Sequence, residues 1–257
     1  MIPVQERVAA WVKRNAGAGF VIALLLIGWK VYSQFFNPRG DLYFPSIGFT
    51  IQQSLAHSGE IVQGLRTTLL EIIFGYLLAV VTGIVSGILV VKFTTVRYAM
   101  LPYAVYSYAL PAAIIAPLFV VWTPSYFLSA VLFVAWVTFF IIFINTITGF
   151  QEIDQEFYDL GKSYGATSRQ FVSKIEFWQA LPHISSGLKV GVQQAIVAAI
   201  VIEFIATTGG IGHLLVTALE LLQPGLLFGV LILIMIFAIV FYKSVTSVID
   251  MVAPGPG

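Results

Sequence analysis

The sequence predicts an all-α integral membrane protein with six transmembrane helices, and three observations carry that prediction. Charged residues make up 10% of the 257-residue chain and hydrophobic ones 59%, whereas a soluble domain carries about 25% charge. Mean hydropathy is +0.94. The apolar residues come in runs of about 20 or more, the length a helix needs to cross a bilayer, and not in the short alternating stretches of a barrel strand. A net charge of +1 leaves no basic excess to neutralise phosphates, so nucleic acid is excluded as a partner. The chain has no cysteine, which excludes disulfides, thiolate chemistry and cysteine metal sites.

Six stretches qualify as spans: 17–36, 65–91, 99–121, 126–149, 183–206 and 224–246. The first follows Lys13 and Arg14 but runs on past Lys30 to Phe36 without a small-residue cleavage site, so it reads as a retained anchor. The third contains Pro111 and Pro117. Each removes a backbone donor, so a kink or break is expected, which a bilayer tolerates only against protein or a wet cavity.

With the N-terminus inside, the cytoplasmic segments hold Arg7, Lys13, Arg14, Lys92, Arg97, Lys162, Arg169, Lys174, Lys189 and Lys243. These are ten of the 13 Lys and Arg, and that bias puts both termini in the cytoplasm. The organisation expected is a cytoplasmic segment 1–16, a six-span domain 17–246 and a short tail 247–257. Within the domain, 37–64 is an outer loop whose Ile47–His57 stretch suits the membrane surface, and 150–182 is a cytoplasmic loop.

That cytoplasmic loop holds eight of the chain's 25 formal charges, so it faces water and a partner protein. Ile153, Phe157, Leu160 and Tyr164 stripe one short amphipathic helix. Gly165 follows where a left-handed residue would stop it. Thr167 and Gln170 have capping-box spacing and would start a second helix, striped by Phe171, Ile175 and Trp178 and ended at Leu181-Pro182. On periodicity alone, a plain solvated hairpin accounts for this loop equally well.

The segment Asp159-Leu160-Gly161-Lys162-Ser163-Tyr164-Gly165-Ala166-Thr167, with Ile175 and Leu181-Pro182 after it, resembles the EAA loop of the membrane subunits of bacterial ABC importers. The likeness extends through Ser186-Gly187-Leu188, Glu203 and Gly209-Gly210-Ile211-Gly212. Upstream it takes in Thr67-Thr68-Leu69-Leu70, the Pro111/Pro117 segment and Asn145-Thr146, so it covers about residues 64–246. Within the family the chain is most similar to permeases for nitrate, sulfonates, taurine and thiamine or flavin precursors. Leu160 and Gly161 replace the family's two alanines, and Phe177-Trp178 replaces a Leu-Pro. Gly161 would weaken its helix by up to about 1 kcal/mol, and Trp178 would let the second helix run one turn further.

The resemblance implies the MetI-like core of a type I importer in the bacterial inner membrane. It implies that the loop docks on cytoplasmic ABC ATPase subunits, with Asp159, Gly161, Gly165, Ala166 and Thr167 at the docking surface. The chain itself would have no catalytic site and no cofactor, ATP and Mg being bound by the partner ATPase. A substrate-binding protein would deliver a small solute outside, and a second copy or a related permease would complete the path. The cargo expected is a small anion such as nitrate, a sulfonate or taurine, with a vitamin precursor as the alternative. Gly161-Lys162-Ser163 is a decoy for a phosphate loop, because Glu156 stands where that pattern needs glycine.

Inside the membrane, Gly75, Ala79, Gly83 and Gly87 recur every four residues in the second span, and Gly191, Ala195 and Ala199 in the fifth. Small residues at this spacing let helix backbones approach closely. Glu71 and Glu203 lie toward the outer ends of the same spans, where a carboxylate needs a partner or a wet cavity. Arg66 or Lys30 is the expected partner of one of them, and a gate or substrate contact is the other use. Thr138, Asn145, Gln193 and Gln194 are further candidates for lining the path, each also able to bond a neighbouring helix. Tyr106, Tyr108 and Trp122, near the prolines, would narrow the path or stack on a planar cargo. His183 begins a helix and His213 sits in an outer turn, so neither reads as a metal ligand. A secondary transporter would instead need ionisable residues at the midplane and two related halves, and a sensor anchor would recruit a partner without moving solute.

Overall fold

The computed structural model describes residues 17, 20–21, 23–36, 43–153, 156–157, 161, 163–165, 167–205 and 209–252. All regular structure among them is helical. We label α1 as residues 23–31, which end in a π-helical turn, Tyr32–Phe36. Then come α2 (Ile47–Ala56), α3 (Ser58–Val91), α4 (Thr94–Ala109), α5 (Ala112–Trp122) and α6 (Tyr126–Gln151). Helix α7 joins Ser168–Phe171, a π-helical turn Val172–Glu176 and Phe177–Ile205. Helices α8 (Ile211–Glu220) and α9 (Pro224–Val252) complete the chain.

Four of these helices are long and apolar enough to span a membrane alone: α3, α6, the Lys174–Ile205 part of α7, and α9. The pair α4 and α5 makes a fifth, bent by 98°. The break falls at Leu110-Pro111 only. Leu110 is extended, at φ −68° and ψ 134°, as a residue before proline tends to be. Pro111 then caps α5. Pro117, expected to share in the break, lies inside α5.

The chain divides into two compact units. The smaller, 1–59 with 217–232, contains α1 and α2. Ser46 caps α2 by accepting from the Phe49 N–H. The Trp29 indole N–H donates to the Pro45 carbonyl at 2.8 Å, and its ring meets those of Phe44 and Phe228. Phe44 and Phe228 also touch each other edge to face.

The larger unit, 60–216 with 233–257, holds the main core. Ile72, Tyr76, Ala79, Phe133, Val134, Ile142, Val192, Ala195, Ala199 and Ile202 are buried there together. Residues of α3, α6 and α7 therefore form the centre, with α6 contributing the largest buried side chains, Phe133 and Phe143. At the far end of this unit Lys189 pairs with Asp250 at 2.5 Å.

Two sequence expectations are corrected. Pro182 does not separate a loop helix from the fifth span but lies inside α7. The π turn before it, closed by a bond from the Phe177 N–H to the Val172 carbonyl, takes up one extra residue and keeps the helix continuous from Ser168. Trp178, where the family pattern has proline, sits within the same helix. His213, expected in a turn, is the third residue of α8.

Candidate functional site

The loop after α6 is built from three local devices. Gly165 has φ +65°, the left-handed conformation that glycine adopts without strain. Thr167 and Gln170 then form the reciprocal capping box. The Thr167 N–H donates to Gln170 Oε1 at 3.0 Å, and the Gln170 N–H donates to Thr167 Oγ1 at 3.4 Å. Gly161 is helical and buried, and a Cβ placed on it would stand 2.4 Å from the Phe171 ring. The glycine that looked like a weak point in its helix is thus the residue that lets Phe171 close the loop. Asp159 and Ala166, also expected at this surface, lie outside the described residues. At the neck of the loop His183 Nε2 meets Glu152 at 3.0 Å, joining the end of α6 to α7.

Glu71 and Glu203 come together at the other end of α3 and α7, 4% and 3% exposed. Neither takes part in an ion pair among the described residues. The cation expected beside them is replaced by hydrogen bonds. Glu203 Oε1 accepts from the Thr68 hydroxyl at 2.5 Å, and its Oε2 accepts from the Gly212 N–H at 2.7 Å. Thr68 Oγ1 in turn accepts from the Ile211 N–H at 2.9 Å. Glu203 and Thr68 therefore cap α8 from two other helices, supplying acceptors for donors that a helix start leaves open. Glu71 is buried beside Glu203, and its Oε2 has no hydrogen-bond partner.

Glycine makes this approach possible. Gly209 and Gly210 have φ +131° and +87°. A Cβ on Gly210 would overlap the Glu203 carboxyl, and one on Gly64 would stand 3.1 Å from the Gly210 carbonyl.

Both small-residue ladders face α6. A Cβ on Gly75 would come within 2.6 Å of Val134, one on Gly83 within 3.0 Å of Ile142, and one on Gly87 within 2.7 Å of Thr146. On α7, a Cβ on Gly191 would stand 3.2 Å from Thr138 Cγ2, and Ala195 and Ala199 are fully buried. Without a hydrophobic effect between lipid-bathed helices, such backbone-close packing is what holds them together.

This seam takes two of the expected path residues. Thr138 is fully buried with an unpartnered hydroxyl. Asn145 donates to the Ile141 carbonyl at 2.7 Å and packs on Gly187. Gln193 is exposed. Gln194 reaches across to α4, its amide N–H donating to the Tyr108 hydroxyl at 3.3 Å. The two border a cavity of about 250 Å³ at the α4–α5 bend. Tyr106 and Trp122 are exposed and do not line it.

Three participants escaped sequence reasoning. Phe171 was visible only as a stripe residue, and its role depends on a tertiary contact. Thr68 stood in the Thr67-Thr68-Leu69-Leu70 stretch of the family likeness, but nothing local assigned it a partner. Helix α8 had one, the Ile211, Leu214, Leu215, Ala218 spacing, hidden because the glycines before it read as a turn. Among the described residues no group of three His, Asp or Glu is placed to hold a metal.

Residues 79–256 match the family described as binding-protein-dependent transport system inner membrane component. A probable ABC transporter permease protein of Haemophilus influenzae is 28% identical over 88% of this chain and 91% of its own length. The formylaminopyrimidine transport permease ThiX of Halalkalibacterium halodurans is 32% identical over 58% of this chain and 60% of that relative. The taurine transport permease TauC of Escherichia coli is 25% identical, over 86% and 82%. Among solved structures, a chain of the inward-facing MetNI methionine ABC transporter superposes with a TM-score of 0.60 at 14% identity, covering 77% of this chain and 98% of that one.

Proposed function

The chain belongs to the family of binding-protein-dependent transport inner membrane components, and from that premise we propose that it forms half of the translocation path of an ATP-driven importer. It is a multi-pass inner membrane protein and an ABC importer permease for a small solute, a transport component and not a catalyst. In the proposed assembly, cytoplasmic ATPases bind the loop after α6, a binding protein delivers solute outside, and a second permease supplies the other half of the path. Both termini face the cytoplasm. The relatives' solutes, formylaminopyrimidine, aliphatic sulfonates, riboflavin and taurine, are small polar organic molecules, and the cargo is of that size.

The observation that supports coupling through the loop is its construction: a left-handed Gly165 between helical pieces, a closed capping box and Phe171 seated on Gly161. A flexible connector needs none of these. A rigid element that transmits the closing of an ATPase needs all three.

The test is Gly165→Val in proteoliposomes carrying the complete importer. A Cβ at positive φ strains the backbone although nothing crowds the site. ATP-dependent uptake should fall at least tenfold while the protein still reaches the membrane. Full uptake by this variant would overturn the coupling assignment.

A further inference from the structure

Glu71 and Glu203 are both buried where α3, α7 and the start of α8 meet. Thr68, which donates to Glu203, stands three residues before Glu71. Residues three apart are neighbours on one face of a helix, so Glu71 lies beside the Thr68–Glu203 contact. Neither the loop after α6 nor the ladders on α6 use this pair.

The two carboxyls are not equivalent. Glu203 has what an ionised carboxylate needs: the Thr68 hydroxyl and the Gly212 N–H donate to its two oxygens, and it stands at the start of α8, where a helix favours negative charge. Glu71 is 4% exposed, and its Oε2 meets no donor. Ionised, it would be a buried charge with an unsatisfied oxygen, beside a second charge of the same sign. The surrounding helices supply no counter-ion. Helices α5 and α6 contain no charged residue. On α3, Glu60 and Arg66 are exposed, and Tyr76 donates to the Leu188 carbonyl. Arg66 precedes Thr68 by two residues, which puts it on the opposite face of the helix. Helix α8 carries His213, next to Gly212, and Glu220 at its far end. On α7, Lys189 pairs with Asp250. Among the described residues none of these forms an ion pair with Glu71 or Glu203.

We propose that Glu71 is a proton-binding site: it carries one proton at neutral pH, and that proton keeps the start of α8 joined to α3 and α7. With the proton in place, the junction holds a single negative charge, on Glu203, which anchors α8 through Gly212 and Thr68. When the proton leaves, two like charges stand side by side without water or a cation between them, and the junction loosens. Thr68 has a second acceptor ready, the Gly64 carbonyl at 3.0 Å, so it can release Glu203 without leaving its hydroxyl unpaired. The site lies within this one chain and is independent of which solute the importer carries.

Two measurements on the complete importer in lipid nanodiscs test this. In the infrared at neutral pH, the importer should show a protonated-carboxyl stretch, identified by its downshift in D2O, that Glu71→Gln abolishes and Glu203→Gln retains. No such stretch in the wild type, its survival in Glu71→Gln or its loss in Glu203→Gln would overturn the assignment of the proton. Deuterium uptake across residues 209–216 is then compared between wild type and Glu71→Gln at equal pH, so that the intrinsic exchange rate cancels. The two should match at neutral pH, and the wild type should exchange several-fold faster once the medium is made alkaline. The divergence should persist when both chains also carry His213→Gln, which removes the imidazole next to Gly212. Equal uptake under alkaline conditions, or loss of the divergence with His213→Gln, would overturn the role of the proton in holding α8. Neither readout depends on solute uptake or on ATP, so failure here and failure of the importer reading are separate results.

Discussion

At Glu203 a single carboxylate does the work that two or three residues do at an ordinary helix start. It accepts from Gly212 and Thr68, and Thr68 accepts from Ile211. Glu203→Ala leaves buried donors unsatisfied, a penalty of about 1–3 kcal/mol each. Its thermal midpoint in detergent should fall by several degrees. Glu71 differs, because its buried Oε2 has no partner. Glu71→Gln keeps the shape, removes the possibility of a second buried charge and should be at least as stable as the parent. A stability loss in Glu71→Gln equal to that in Glu203→Ala would refute this division of roles. The sequence showed that both glutamates needed partners, since carboxylates at membrane depth are costly. It did not show that the partners of Glu203 are a threonine 135 positions away and the Gly212 amide, because only the folded backbone brings those together.

Among the elements, the loop after α6 was the most legible. Gly165 and the Thr167/Gln170 spacing are local signals, and local geometry realises both. The continuity of α7 through Pro182 was missed, since a π turn five residues long is invisible to a 3.6-residue period. Gly161 was read through propensity alone, which favours alanine by about 1 kcal/mol. Packing reverses the sign. With Phe171 2.4 Å from the added methyl, Gly161→Ala should loosen the loop and raise amide hydrogen exchange across residues 168–176. Phe171→Leu in the same chain makes room, so the double variant should regain protection relative to Gly161→Ala. Additive loosening in the double variant would show that the two residues do not act as one contact.

For the whole molecule, hydropathy alone identified a helical membrane protein, and the structure agrees: four apolar spans and one bent pair among the described residues. The arrangement of α3 and α7 on α6 was legible in outline, as two four-residue ladders, but their shared partner was not. A ladder states that something approaches closely and leaves open what does. The same ambiguity attaches to sidedness, which rests on ten of 13 basic residues lying on one side and on no feature of the fold. The absence of cysteine makes sidedness directly measurable, because one introduced thiol is the only one in the chain. Tyr43 precedes α2 on the proposed outer side and is 61% exposed; Tyr164 is in the loop after α6, on the proposed cytoplasmic side, and is 81% exposed. In intact spheroplasts a membrane-impermeant maleimide should label Tyr43→Cys at once and Tyr164→Cys only after permeabilisation. The reverse pattern would put the loop outside, away from any ATPase, and the coupling proposal would fall with the topology. Labelling of both without permeabilisation would do the same, since a loop that reaches the outer solution cannot be held by a cytoplasmic partner.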